Sequence, residues 1–172
     1  MKLVLLGYMG SGKTVIGKIL SDKLFLPFID LDRYIVEKEH ASIAEIFKTK
    51  GEVYFRKIEH QYLKKLLSSN ENFVLSLGGG TPCYAGNMNL ITNTPAITSI
   101  YLNANISTLT NRLREEKEKR PLIDKLQDRD LTEFIAKHLF ERNHFYEQAT
   151  YKTDVSNKTI KTVVTEIRIL LH

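Results

Sequence analysis

Apolar residues gather in five short runs rich in β-branched side chains, at 2–6, 27–30, 73–77, 97–102 and 151–154. Between these runs apolar positions recur at helical spacing, so the pattern predicts strands alternating with helices. Strands this short and this continuously apolar belong to a parallel sheet covered on both faces and joined by right-handed crossovers. The predicted class is therefore α/β, and ligands are expected at the carboxyl ends of the strands. Two segments exceed a minimal sheet. About 32–67 carries Ile43, Ile46, Phe47, Tyr54, Ile58, Tyr62 and Leu66 at periodic positions, interrupted at Gly51, which predicts a helical substrate-binding insertion. About 112–128 is densely charged, with little apolar content until Leu122 and Ile123, and is expected to form a mobile lid.

The loops after the strands hold the candidate chemistry. The first run leads into Gly7-Tyr8-Met9-Gly10-Ser11-Gly12-Lys13-Thr14 and then a helix-compatible segment, the context a phosphate-binding loop requires. Glycines let backbone N–H groups face one anion, the helix adds its positive end, Lys13 reaches the outer phosphates and Thr14 offers a hydroxyl to Mg²⁺. Gly10, Ser11, Gly12, Lys13, Thr14 and Val15 are accordingly assigned to ATP. Asp30-Leu31-Asp32 closes the second run, where strand alternation sends both carboxylates to one side. One carboxylate near Mg²⁺ can hold a metal-bound water while the other accepts a hydrogen bond from an attacking hydroxyl. Capping of the next helix by Asp32 is the competing reading. Gly78-Gly79-Gly80 follows the third run and presents N–H donors. Val74-Leu75-Ser76-Leu77 offers no acid before it, so Asp30 is the candidate metal ligand beside Thr14.

Three arginines extend the picture. In the helical segment from Leu131 to Ala149, eleven residues at about 100° each place Arg142 roughly 20° from Leu131, on the apolar face. A guanidinium there must meet an anion, either a protein carboxylate or a ligand carboxylate or phosphate. Arg56 has Glu59 three residues on, spaced to hold it by an i,i+3 contact or to form a routine surface pair. Arg120, beside Pro121 in the predicted lid, is placed to close over a γ-phosphate. The histidines, His138 on the apolar stripe included, show no metal spacing.

Composition narrows the classes. At 172 residues the chain is expected to form a single domain, 1–172, and 42% hydrophobic with 26% charged residues is globular. A net charge of +5 is spread among acids, as in the charged stretch 114–120, so a nucleic-acid partner is not expected. The one cysteine, Cys83, excludes an internal disulfide and fits a reducing compartment. Neither a signal peptide nor a membrane-length apolar run is visible. A cytoplasmic monomer without membrane contact is expected.

Gly-x4-Gly-Lys-Thr, Asp-x-Asp, Phe55-Arg56-x-x-Glu59, Gly78-Gly79-Gly80, Arg120-Pro121-Leu122 and Arg142-x3-Tyr146, in this order, resemble the shikimate kinase family over nearly the whole chain. The resemblance implies a P-loop NTPase-type three-layer sandwich with a five-stranded parallel sheet ordered 2-3-1-4-5. It implies transfer of the γ-phosphoryl group of ATP, with Mg²⁺, to the 3-hydroxyl of shikimate, a step of aromatic amino-acid biosynthesis. Carried over, Arg56 and Arg142 clamp the shikimate carboxylate. Asp32 binds ring hydroxyls and orients or deprotonates the nucleophile, and the glycine loop, Gly78 to Gly80 with the Gly79 amide foremost, holds substrate. Asp30 and Thr14 hold Mg²⁺ directly or through water, and Lys13 and Arg120 neutralise the transferred group. Arg112 stands where the family places an arginine near adenine, and Lys158 lies in the loop after the last strand that also touches adenine. Two competing readings remain: a related kinase for gluconate or a nucleoside monophosphate, and a nucleotide-dependent switch or RNA-binding ATPase. Against the second, Asn157-Lys158-Thr159-Ile160 lacks the acid of a guanine-specificity motif, and no aromatic-rich basic platform is visible.

Overall fold

Strand β1 (Lys2–Leu6) takes the centre of the sheet because Leu3, Val4, Leu5 and Leu6 are all fully buried and need cover on both faces. Around it stand β2 (Phe28–Asp30), β3 (Phe73–Ser76), β4 (Ile97–Asn103) and β5 (Tyr151–Asp154), all parallel, in the order β2-β3-β1-β4-β5. The computed structural model describes residues 1–117, 123–124 and 126–171. The register pairs Asp30 with Ser76, Ser76 with Leu5, Leu6 with Tyr101 and Asn103 with Asp154, so the strands finish along one edge. The strand runs read from the sequence agree to within a residue at each end.

The helices are α1 (Lys13–Leu24), α2 (Leu31–Glu39), α3 (Ile43–Ser68), α4 (Asn87–Asn93), α5 (Ile106–Glu115), α6 (Asp128–Tyr146) and α7 (Ile160–Leu170), with a 3-10 turn at Thr81–Cys83. Helix α1 packs with α7 and against the β2–β3 side of the sheet, α4 rests on β4, and α5 packs on α6. Local chemistry starts them: a reciprocal capping box joins Ser42 and Glu45 before α3, and Asn105 Oδ1 accepts from Thr108 N (2.8 Å) before α5. Among the described residues no helix is long and apolar enough to cross a membrane.

The 32–67 segment is α2 followed by α3. Gly51 breaks α3 with φ 81° and ψ 171°, a conformation closed to residues with a side chain. Glu39 ties the pieces together: its carboxylate accepts from Tyr54 (2.9 Å), Tyr62 (2.8 Å) and Lys50 (3.4 Å).

One expectation is corrected. Asp32 does not lie on the second strand, which ends at Asp30; it sits in the first turn of α2. Asp30 caps that helix, accepting from Arg33 N at 3.3 Å, and so the cap that the competing reading gave to Asp32 is supplied by its neighbour. Leu31, fully buried, satisfies either a strand or a helix, which is why the period-2 pattern ran on too far. The segment expected as a lid begins inside α5 and includes the fully buried Leu113 and Ile123; 118–122 and 125, with Arg120, Pro121 and Leu122 among them, lie outside the described residues.

Candidate active site

The phosphate loop follows directly from the burial of β1. A side chain on Gly7 (φ 141°) would come within 2.7 Å of the Leu102 carbonyl, so the chain can turn there only as glycine. Helix α1 then starts at Gly12 with no side-chain cap and no acid in its first turn, which leaves its leading N–H groups for an anion. The buried Lys13 amine donates to Gly7 O (2.8 Å) and Tyr8 O (3.0 Å). Ser11 turns its buried hydroxyl beneath the loop, where it has no partner among the described residues.

At the carboxyl edge of the sheet a cleft of about 460 Å³ is lined by the loop residues 10–15, Asp30, Asp32, Gly78, Gly79, Arg112 and Lys158. These residues come from five separate segments, and the sequence reading assigned every one of them to the site. Thr14 Oγ1 donates to Asp30 Oδ2 at 3.2 Å. The pair offers Mg²⁺ two hard oxygens, the kind and number of protein ligands that ion takes when phosphates and water complete its shell. Among the described residues no cluster of three His, Cys, Asp or Glu side chains could form an all-protein cage instead. The Asp32 carboxylate packs against Gly78, where an added Cβ would stand 3.0 Å from Oδ1. Burial raises its pKa to about 6, helped by the charges of Asp30 and Glu59 and opposed by Lys13 and Arg56.

Arg56, Gly80 and Arg142 do not line this cleft. They form an adjoining cationic patch linked to it through Asp32. Arg56 Nη1 donates to Glu59 Oε2 (3.1 Å), Nη2 reaches Glu52 Oε1 (3.4 Å), and the guanidinium stacks on Tyr84 at 3.9 Å. Glu59 is 1% exposed and its other oxygen accepts from Thr81 Oγ1 at 2.7 Å, so the pair expected from the i,i+3 spacing is anchored from beneath. Arg142 lies 5.8 Å from the Tyr8 ring centre, and among the described residues no carboxylate pairs with it. Both guanidinium charges offset part of the burial that pushes the Cys83 thiol up to about 11.

Arg112 points inward as a brace. Its Nη1 donates to Gly10 O (3.1 Å) and its Nη2 to Val155 O (3.1 Å), joining the phosphate loop to the loop after β5. Lys158 lines the cleft while paired with Glu166 at 2.8 and 2.9 Å. Sequence reasoning missed Tyr84 under Arg56, Thr81 under Glu59, and Tyr8, whose hydroxyl lies 3.1 Å from His138 Nδ1. All three depend on packing between distant segments; Tyr8 alone had a local signal, an aromatic residue inside a glycine loop.

A family model described as Shikimate kinase matches residues 9–171. A shikimate kinase of Flavobacterium johnsoniae is 49% identical over 170 residues, covering 99% of this chain and 98% of its own. The crystal structure of shikimate kinase from Bacteroides thetaiotaomicron superposes with a TM-score of 0.90 at 36% identity, over 99% of this chain and 98% of that one. Shikimate kinase from Acinetobacter baumannii, solved in complex with shikimate, gives 0.86 at 29% identity over 99% and 92%. The match runs from the phosphate loop to the last helix at close to half identity, and this chain belongs to the shikimate kinase family.

Proposed function

We propose that this enzyme phosphorylates the 3-hydroxyl of shikimate with ATP, with Asp32 as the group that orients and deprotonates the acceptor. The observation that supports this most is the placement of the Asp32 carboxylate, in one cleft with Lys13 and Thr14 and within electrostatic reach of Arg56. ATP is placed along the phosphate loop, with its base against Arg112 and the loop after β5 that this residue braces. Arg56 and Arg142 take the shikimate carboxylate by charge-assisted hydrogen bonds, and the glycine loop supports the ring. The 3-hydroxyl oxygen attacks the γ-phosphorus, the bond to the bridging oxygen of ADP breaks, and the hydroxyl proton passes to Asp32. A carboxylate with pKa about 6 is ionised at neutral pH and still basic enough to take that proton. Thr14 and Asp30 would hold Mg²⁺, which when bound would supply positive charge against the phosphates. Lys13 leaves its loop carbonyls for the transferred group; Arg120 is assigned the same work. We assign the chain to the cytoplasm as a monomer.

The test is ATP- and Mg²⁺-dependent ADP release with shikimate, gluconate, a nucleoside monophosphate or no acceptor. Turnover confined to shikimate is expected; turnover with another acceptor overturns the assignment.

A further inference from the structure

Three side chains four residues apart on α6 reach two parts of the site, the phosphate loop and the glycine loop. His138 meets the Tyr8 hydroxyl at 3.1 Å, at the base of the phosphate loop. Arg142 faces the Tyr8 ring. Tyr146, fully buried, donates its hydroxyl to the Gly79 carbonyl at 2.5 Å, across 67 residues of chain. This last contact matters because of what the glycine loop holds in reserve. Thr81 N donates to Gly78 O (3.1 Å) and Cys83 N to Gly80 O (2.9 Å), whereas among the described residues the Gly79 and Gly80 N–H groups donate to nothing. Three successive glycines have wide backbone freedom, so unpaired donors there have no fixed direction of their own. In a trans peptide the C=O and N–H point opposite ways; holding the Gly79 carbonyl therefore fixes the Gly80 N–H. A Cβ on Gly80 would lie 3.3 Å from Arg56 Nη2, so the peptide so held adjoins the cationic patch.

We infer that Tyr146 is a positioning residue for the acceptor: through Gly79 O it aims the unspent Gly80 N–H of the glycine loop while its own helix presents Arg142. The inference rests on the reading of shikimate as acceptor. Burial pushes the Tyr146 phenol far above its usual range, so the hydroxyl remains a donor throughout the working pH.

The test compares Tyr146→Phe with Tyr101→Phe. Tyr101 is an equally buried tyrosine whose hydroxyl also bonds α6, at Asn143 Oδ1 (2.9 Å), away from the glycine loop. Tyr146→Phe is expected to raise the KM for shikimate about tenfold, the scale of one buried hydrogen bond, with the KM for ATP unchanged. Tyr101→Phe is expected to alter neither, whatever each does to Tm. An unchanged shikimate KM in Tyr146→Phe, or an equal rise in both variants, overturns the inference. Should Tyr146→Phe not fold, amide hydrogen exchange of the wild type decides: Gly79 and Gly80 are expected to exchange more slowly with shikimate bound, and unaltered exchange overturns it. A wild type that does not turn shikimate over overturns the acceptor reading itself, before any variant is compared.

Discussion

Asp32 is held in a place its charge disfavours. Its pKa is raised from 3.8 to about 6, so the folded protein binds that proton more tightly than the unfolded chain does. The penalty is absent below about pH 3.8 and complete above about pH 6. Asp32→Asn is therefore expected to stabilise the ligand-free protein at pH 7 by about 3 kcal/mol, and to give no gain near pH 3.5, as denaturant melts at the two pH values will read. The same carboxylate must be ionised to accept a proton. For the wild type, kcat/KM for shikimate is expected to fall as pH drops through about 6, and the residual activity of Asp32→Asn to lose that limb. Arg142 makes the opposite case, a half-buried cation with no carboxylate partner among the described residues. Its replacement by alanine is expected to weaken shikimate binding by roughly 2–5 kcal/mol; an unchanged KM with a lower Tm would mark it as structural.

Helix α3 brings Arg56 and Glu59 to the site only after the break at Gly51. Open space surrounds that glycine, so a methyl group there would clash with nothing, and the obstacle is the backbone angle alone. Gly51→Ala is expected to cost about 1–3 kcal/mol of stability by strain, or to straighten the helix and raise the KM for shikimate while sparing that for ATP. Denaturant melts and steady-state kinetics separate the two. The interruption at Gly51 was legible in the sequence as a break in the apolar period; its angle was not, because composition reports that a turn is permitted and not how far it goes. The second strand shows the same limit. Leu31 suits a strand or a helix, and only the Asp30 cap, a hydrogen bond to Arg33 N, decides where the strand stops.

The whole molecule brings five segments to one edge; the meeting there of the loops after the first three strands was readable early, because short, continuously apolar strands belong to a buried parallel sheet. The contacts between those loops were not readable. Arg112 and Gly10 are 102 residues apart, and nothing local in either tells of the other. That brace predicts that Arg112→Ala loosens two ATP-contacting loops at once. The KM for ATP is expected to rise about tenfold or more, by the loss of charged hydrogen bonds, and shikimate binding measured without nucleotide to stay as it was. Lys13 adds a point about turnover. Its buried amine donates to the carbonyls of Gly7 and Tyr8, so the phosphate loop's own backbone supplies acceptors for the charge it contains. A lysine sheltered in this way keeps the glycine loop folded on itself, so nucleotide release is expected to leave the loop in shape for the next ATP.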